Sequence, residues 1–279
     1  MYWIAIIFRK VAMLMKKQQH KSKGLFQKFK QHRFLFSELV KHDFKKKYKR
    51  TYLGMLWSVL SPLLSLLVMR IVFTQFFGRS MEHYTTYLFC GNIVFAFFND
   101  ATNGGMNSLM GNSAIFSKIN VPKYLFLFSR SVSSLINFGL TFVVFLIFCV
   151  IDGVTFTWTF LTLVFPIICL IVFNVGMGLI LSALFVFFRD IQYLWSVFTQ
   201  LLMYMSAIFY DINGFSPEVQ KLFLINPVFV YIKYFRLAVL EGVVPSIWFH
   251  LLALGYAVVT FLIGAVIYKK YNHKFLYYV

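Results

Sequence analysis

Long apolar runs separated by short polar or basic stretches dominate this chain. A helix that crosses a bilayer needs roughly 20 mostly apolar residues. Six stretches reach that length, at about 53–77, 84–103, 124–151, 156–188, 191–210 and 246–268. The fourth is long enough to tilt or to begin outside the hydrocarbon. Asn92, Asn99 and Asp100 interrupt the second. The pattern predicts an all-α integral membrane fold with six transmembrane helices.

Weaker patterns lie ahead of the first run. Phe36, Leu39, Val40, Phe44 and Tyr48 recur at helical spacing on one face. Lys41, Lys45 and Lys49, with His42 and Lys46, fall on the other side. This predicts an amphipathic interface helix over 36–52, its cations turned toward lipid phosphates. Two readings fit it: a plain charged flank, or a basic shelf for an anionic lipid head or a partner protein. A basic extension, 1–35, precedes it and carries a second apolar face around Trp3, Phe8 and Leu14. That face is too short to span, and it lacks the pattern of a signal peptide.

Residues 53–279 form the predicted six-span domain, and their longest outer connection is 211–245. Ser216, Pro217 and Glu218 read as the cap and first turn of a short helix. Asn226-Pro227 ends it and starts a second, which stops at Gly242. Each is too short to cross. They either rest on the outer surface or form a re-entrant pair that acts as an outer gate, and we adopt the re-entrant pair as the expectation. In the loop 104–123, Met106, Leu109, Met110 and Ser113 share a short helical face. It fits a solvated turn or a lever for a soluble partner.

Charge sets the orientation. Only 13% of the 279 residues are charged, yet the net charge is +18. In a soluble protein that would suggest nucleic acid. Here 15 of the 27 Lys and Arg lie in the first 50 residues, ahead of the first run, and no RNA-binding motif accompanies them. Cations flanking spans are retained in the cytoplasm. Lys118, Lys123, Arg189 and the basic tail 268–274 mark the same side as the N-terminal segment. Both termini are therefore expected in the cytoplasm, with the chain multi-pass in the cytoplasmic (inner) membrane and no nucleic acid among its partners.

Catalytic chemistry is missing. No Gly-Lys dipeptide occurs, so the chain has no Walker phosphate loop of its own. Cys90, Cys149, Cys169 and the scattered histidines have no metal-ligand spacing. Neither paired carboxylates nor an HExxH pattern suggests hydrolysis. Spans three to six carry no acid near their middle, which argues against an ion-driven carrier. Asp100, at the inner end of span two, is expected to pair with Arg130 on span three. Such a protein, with no energy source and no cofactor of its own, calls for a cytoplasmic ATPase.

The stretch KYKRTYLGMLWSVLSPL resembles the start of the polysaccharide-export permeases of ABC transporters, through Tyr48, Arg50, Leu53, Gly54, Trp57 and Pro62. FFRDI matches the same family at the inner turn Phe188, Arg189 and Asp190, and Ser206–Tyr210, Pro217, Asn226-Pro227, Tyr231 and Gly242 follow in order. The resemblance covers about 37–270. It departs at Ser206-Ala207, where the family usually carries a Pro.

The resemblance implies a homodimer bound to two cytoplasmic ABC ATPase subunits, which hold the ATP and Mg. The expected cargo is a lipid-linked glycan of capsule, O-antigen or teichoic acid type. Substrate would enter at Lys45, Lys46, Tyr48, Lys49, Arg50, Leu53, Gly54 and Trp57. ATPase coupling would fall on Phe36, Leu39, Val40 and Phe44 of the interface helix and on Met106, Leu109, Met110 and Phe116 of the inner loop. The outer gate would use Pro217, Asn226, Pro227, Tyr231 and Tyr234. No residue is assigned to catalysis or to a metal. Three rivals stand beside this reading: an ABC permease for drugs or simple lipids, a membrane-embedded glycan-assembly enzyme, and a non-transporting scaffold.

Overall fold

The computed structural model describes residues 25–48, 52–74, 83–118 and 121–278. The N-terminal apolar face, Lys49 and Arg50 lie outside the described residues, as do the side chains of Lys46, Tyr48 and Phe116. The chain forms two compact units, 1–39 and 40–279. Every regular element among the described residues is helical.

Helix α1 spans Leu25–Tyr48. In the first unit it carries buried Leu35 and Leu39 and exposed Arg33, Phe34 and Ser37. In the second unit Val40 and Phe44 are half-buried, while Lys41 and Lys45 are exposed. Asp43, on the same stretch, is only 1% exposed.

The second unit continues with a one-turn helix at Gly54–Leu56, then α2 (Trp57–Thr74) and α3 (Tyr84–Met106). A short α4 (Ser113–Phe116) leads to α5 (Tyr124–Ile151). The fourth apolar run is broken after one turn, giving α6 (Thr159–Thr162) and α7 (Val164–Phe187). Then come α8 (Ile191–Met205), α9 (Pro217–Phe223), α10 (Pro227–Val239), α11 (Ile247–Tyr271) and α12 (Phe275–Tyr278).

Among the described residues, three segments are long and apolar enough to cross a membrane unaided: α5, α6–α7 taken together, and α11. The α9–α10 pair bends by 108° and is either one broken span or a re-entrant loop. The remaining three expected spans fall short for separate reasons. α2 is a short apolar helix. α3 carries Asn92, Asn99, Asp100 and Asn103. α8 stops after 15 residues. Large apolar side chains stay exposed along the long helices, among them Val143 and Ile147 on α5 and Leu254, Val258 and Leu262 on α11. Such faces are tolerated against lipid but not against water.

Lipid tails are as apolar as leucine, so close packing must hold such helices together. Small residues supply it at two crossings. A Cβ on Gly105 of α3 would sit 2.8 Å from the Gly178 Cα of α7. A Cβ on Gly176 would meet the Phe261 backbone nitrogen of α11 at 2.6 Å. Aromatic rings fill the core between these contacts: Phe98 stacks on Phe173 at 5.9 Å, and Phe89 meets Phe145 edge-on at 5.5 Å.

The N-terminus of α3 is capped from another part of the chain. Asp152, in the α5–α6 turn, accepts from the Thr86 hydroxyl at 2.7 Å and the Thr86 amide at 3.3 Å. A carboxylate there satisfies free amides and the positive end of the helix dipole.

Candidate functional site

The start of α2 and the middle turns of α3 and α5 enclose a cavity of about 490 Å³. Its polar lining is Ser58, Ser61, Asp100, Ser134, Asn137 and Thr141. Trp57, Phe97 and Phe138 add ring faces and edges. α3 runs antiparallel to α5, so that Asp100 lies beside Asn137 and Gly104 beside Arg130 and Ser134. Of the residues expected where substrate enters, Trp57 lines this cavity, Leu53 is exposed just before it, and Gly54 begins the intervening one-turn helix. Lys45 is exposed on α1.

Asp43 ties the C-terminal half of α1 to α5. Its Oδ2 accepts from the Ser129 hydroxyl at 3.0 Å and lies 3.5 Å from Arg130 Nε. This corrects the expected Asp100–Arg130 pair. Gly104, not Asp100, packs beside Arg130 and Ser134. The α3–α5 register is therefore offset by one turn, and Asp100 faces the Asn137 amide at 3.4 Å.

The loop 104–123 takes up short helical turns with one more buried side. Met106 and Leu109 are buried, and Met110 is half-buried in a one-turn helix spanning Met110–Asn112. Asn107, Gly111, Ala114, Ser117 and Lys118 form its exposed side. At the next inner turn Phe188, Arg189 and Asp190 are all exposed, and the Asp190 carbonyl receives the Tyr193 and Leu194 amides that begin α8. Lys123 donates to the Asn272 carbonyl at 2.6 Å, joining the loop to the C-terminal end of α11. Burial there lowers its ammonium pKa.

The outer pair is built on caps legible in the chain. Pro217 opens α9, although Ser216 makes no side-chain capping bond. Asn226 accepts from the Val228 and Phe229 amides, and Pro227 begins α10. Tyr231 is fully buried and donates to the Ala253 carbonyl at 2.9 Å. Tyr234 is fully buried too, with its hydroxyl 2.7 Å from His250 Nε2.

The residue that organises this end is Arg236, which carries the one positive charge in the last turn of α10. It is 7% exposed. Its two terminal nitrogens donate to the Ala207 and Ile208 carbonyls at 2.9 and 3.0 Å, and its carbon lies 3.5 Å from the Tyr87 ring centre. Ala207 takes a left-handed turn, φ 49°. The Ser206-Ala207 stretch thus makes the bend itself. Ser206 bonds back to the Leu202 carbonyl, Asn226 donates to the Ser206 hydroxyl at 2.9 Å, and Arg236 fastens the next two carbonyls. A smaller pocket of about 220 Å³ opens beside it, lined in part by Asp211, Lys233 and Glu241. One signal was available: Arg236 lies four residues after Ile232 and next to Phe235, inside the apolar stripe of α10.

Apolar helices long enough to cross a membrane, together with a helix pair bent by 108°, are parts found in transport permeases. The chain belongs to the ABC-2 type transporter family, whose profile matches residues 35–240. It is 27% identical over 201 residues to the O-antigen export system permease protein RfbA of Myxococcus xanthus, covering 71% of this chain and 76% of that protein. Its likeness to the RfbA of Klebsiella pneumoniae is 25% over 249 residues, covering 87% and 95%. The polysialic acid transport protein KpsM of Escherichia coli is 23% identical over 242 residues, covering 85% and 93%.

Proposed function

We propose that this chain is the permease subunit of an ATP-driven exporter that moves a polyprenyl-pyrophosphate-linked polysaccharide across the cytoplasmic membrane. The observation that carries this reading is similarity over 71–87% of the chain to proteins named for O-antigen export and polysialic acid transport. In this reading two copies pair, two cytoplasmic ABC ATPases bind beneath them, and both termini stay inside. α2, α3, α5, α6–α7, α8 and α11 act as six spans, and α9–α10 form a re-entrant outer gate.

Lys45, Lys46, Lys49 and Arg50 attract the pyrophosphate at the inner leaflet through charge-assisted contacts. Tyr48, Leu53, Gly54 and Trp57 carry the path from that shelf into the bundle. α1, through Phe36, Leu39, Val40 and Phe44, and the inner loop receive the motion of the ATPase. ATP and Mg are bound by the partner alone. The teichoic acid, capsule and O-antigen classes share this chemistry of a phosphorylated lipid bearing sugars.

Co-purification from the native host tests the assembly. The permease should bring down a nucleotide-hydrolysing subunit, and adding a polyprenyl-pyrophosphate sugar to the reconstituted complex should raise ATP hydrolysis. A permease that moves glycan with no such companion contradicts the proposal.

A further inference from the structure

We infer that the pocket beside Arg236 binds a small zwitterion of the ethanolamine phosphate class, its phosphate meeting Lys233 and its ammonium meeting Asp211 and Glu241. The inference rests on neither the cargo nor the ATPase proposed above. The pocket lies wholly within the second unit.

One stripe of α10 supplies the cations. Phe229, Lys233 and Arg236, with Leu240 just past the helix end, recur at helical spacing and all line the pocket. The acids come from loops: Asp211 follows the Ser206-Ala207 bend, and Glu241 follows α10. Asp211 Oδ1 accepts from the Asn213 amide at 3.1 Å, which fixes that carboxylate in place. Arg236 gives both terminal nitrogens to carbonyls, so it acts on the pocket through its charge. Lys233 and Asp211 are half-buried. Among the described residues, none of Asp211, Lys233, Arg236 and Glu241 forms an ion pair.

Charges of both signs around one small space, unpaired with each other, call for a ligand that carries both. Removing a charge from water is costly unless it is paired, and a zwitterion pairs both kinds at once. A lone anion would suit Lys233 but meet two carboxylates. A lone cation would suit those and meet Lys233 and Arg236. A neutral sugar compensates neither sign. The volume, about 220 Å³, lies below the roughly 300–1,000 Å³ of pockets for larger organic ligands, so it suits a headgroup rather than an oligosaccharide. Ethanolamine phosphate can arrive as the headgroup of phosphatidylethanolamine or as the free compound. The surroundings favour the lipid. Gln220 of α9 donates to the Asn213 carbonyl at 3.3 Å, and α9 exposes Val219 and Leu222, as a helix lying at a membrane surface does. A ligand bridging Asp211 and Lys233 ties the chain after the bend to α10.

The test places the full-length chain in nanodiscs of phosphatidylglycerol and follows amide hydrogen exchange across residues 206–216. Adding phosphatidylethanolamine to the bilayer should slow exchange there roughly tenfold, the effect of a ligand at about ten times its Kd. Slowing by that lipid identifies the bilayer as the source. Slowing only by free ethanolamine phosphate, added to discs without the lipid, supports the site with a soluble source. The ratio of rates with and without ligand is taken within each variant, so that a change in baseline cancels. It should fall close to one in Lys233→Gln and in Asp211→Asn. A ratio unchanged in either variant overturns the site. Equal slowing by inorganic phosphate alone, or by ethanolamine alone, makes the pocket a site for a single charge and overturns it too. No slowing by either source also overturns it, and leaves the export reading standing.

Discussion

The guanidinium of Arg236 lies over Tyr87, its carbon 3.5 Å from the ring centre, while its two terminal nitrogens donate to the carbonyls of Ala207 and Ile208. One buried side chain thus joins α10, the start of α3 and the bend after α8. Arg236→Gln removes the charge and leaves two carbonyls without strong donors. Breaking a buried charged arrangement of this kind costs roughly 3–5 kcal/mol. We expect a large drop in melting temperature in detergent and protease sensitivity across 206–216. Arg236→Lys should recover less than half, because an ammonium cannot span both carbonyls as a planar fork does. A melting temperature unchanged in Arg236→Gln would remove Arg236 from this role.

Ala207 predicts a sign as well as a size. Its left-handed φ of 49° is strained for any side chain, and the residue is fully buried. Ala207→Val adds a β-branch to that conformation and should destabilise by roughly 1–3 kcal/mol. Ala207→Gly relieves the backbone but gives up a buried methyl, so it should fall near neutral. Thermal unfolding of the two variants, measured side by side, checks the order.

Glycines along the spans should split by their surroundings. Gly176→Ala drives a methyl into the Phe261 backbone and should cost roughly 1–3 kcal/mol by overpacking the α7–α11 crossing. Gly255, on α11, has nothing within 4 Å of its would-be Cβ. Gly255→Ala should therefore stabilise, by up to about 1 kcal/mol, through helix propensity. Opposite shifts in unfolding midpoint are the expected result.

The Asp43–Ser129 contact connects α1 to α5 inside the second unit. Asp43→Ala leaves Arg130 beside a vacated carboxylate position and should raise hydrogen exchange across residues 40–48. Ser129→Ala removes one bond to a charged group, worth roughly 1.5–3 kcal/mol, and should raise it less. The double variant should fall short of the sum, because both changes break one shared contact.

The spans legible in the chain are those whose signal is local. α5, α7 and α11 follow from uninterrupted apolar length, and α3 begins where expected, at Tyr84. The caps at Pro217 and Asn226-Pro227 set α9 and α10 because proline and asparagine act within one turn. What escaped the reading depends on distant partners. The fifth run stops at Met205 rather than continuing to Tyr210, because Ser206 and Ala207 turn the chain and Arg236, 29 residues on from Ala207, fastens it. Arg130 pairs with Asp43, 87 residues back, because the α3–α5 register is offset by a turn that no local pattern encodes. The cavity was visible only through Trp57; Ser134, Asn137 and Thr141 join it by helix packing alone.

The cationic stretch Lys45–Arg50 is the centre of the proposed mechanism, and surface glycan in living cells tests it most directly. Cells carrying Lys45→Gln, Lys49→Gln and Arg50→Gln together should retain the permease–ATPase complex. They should lose glycan from the surface and accumulate it, still lipid-linked, inside. Normal surface glycan in those cells, with the triple variant verified in the membrane, would contradict capture of a phosphorylated lipid by these cations.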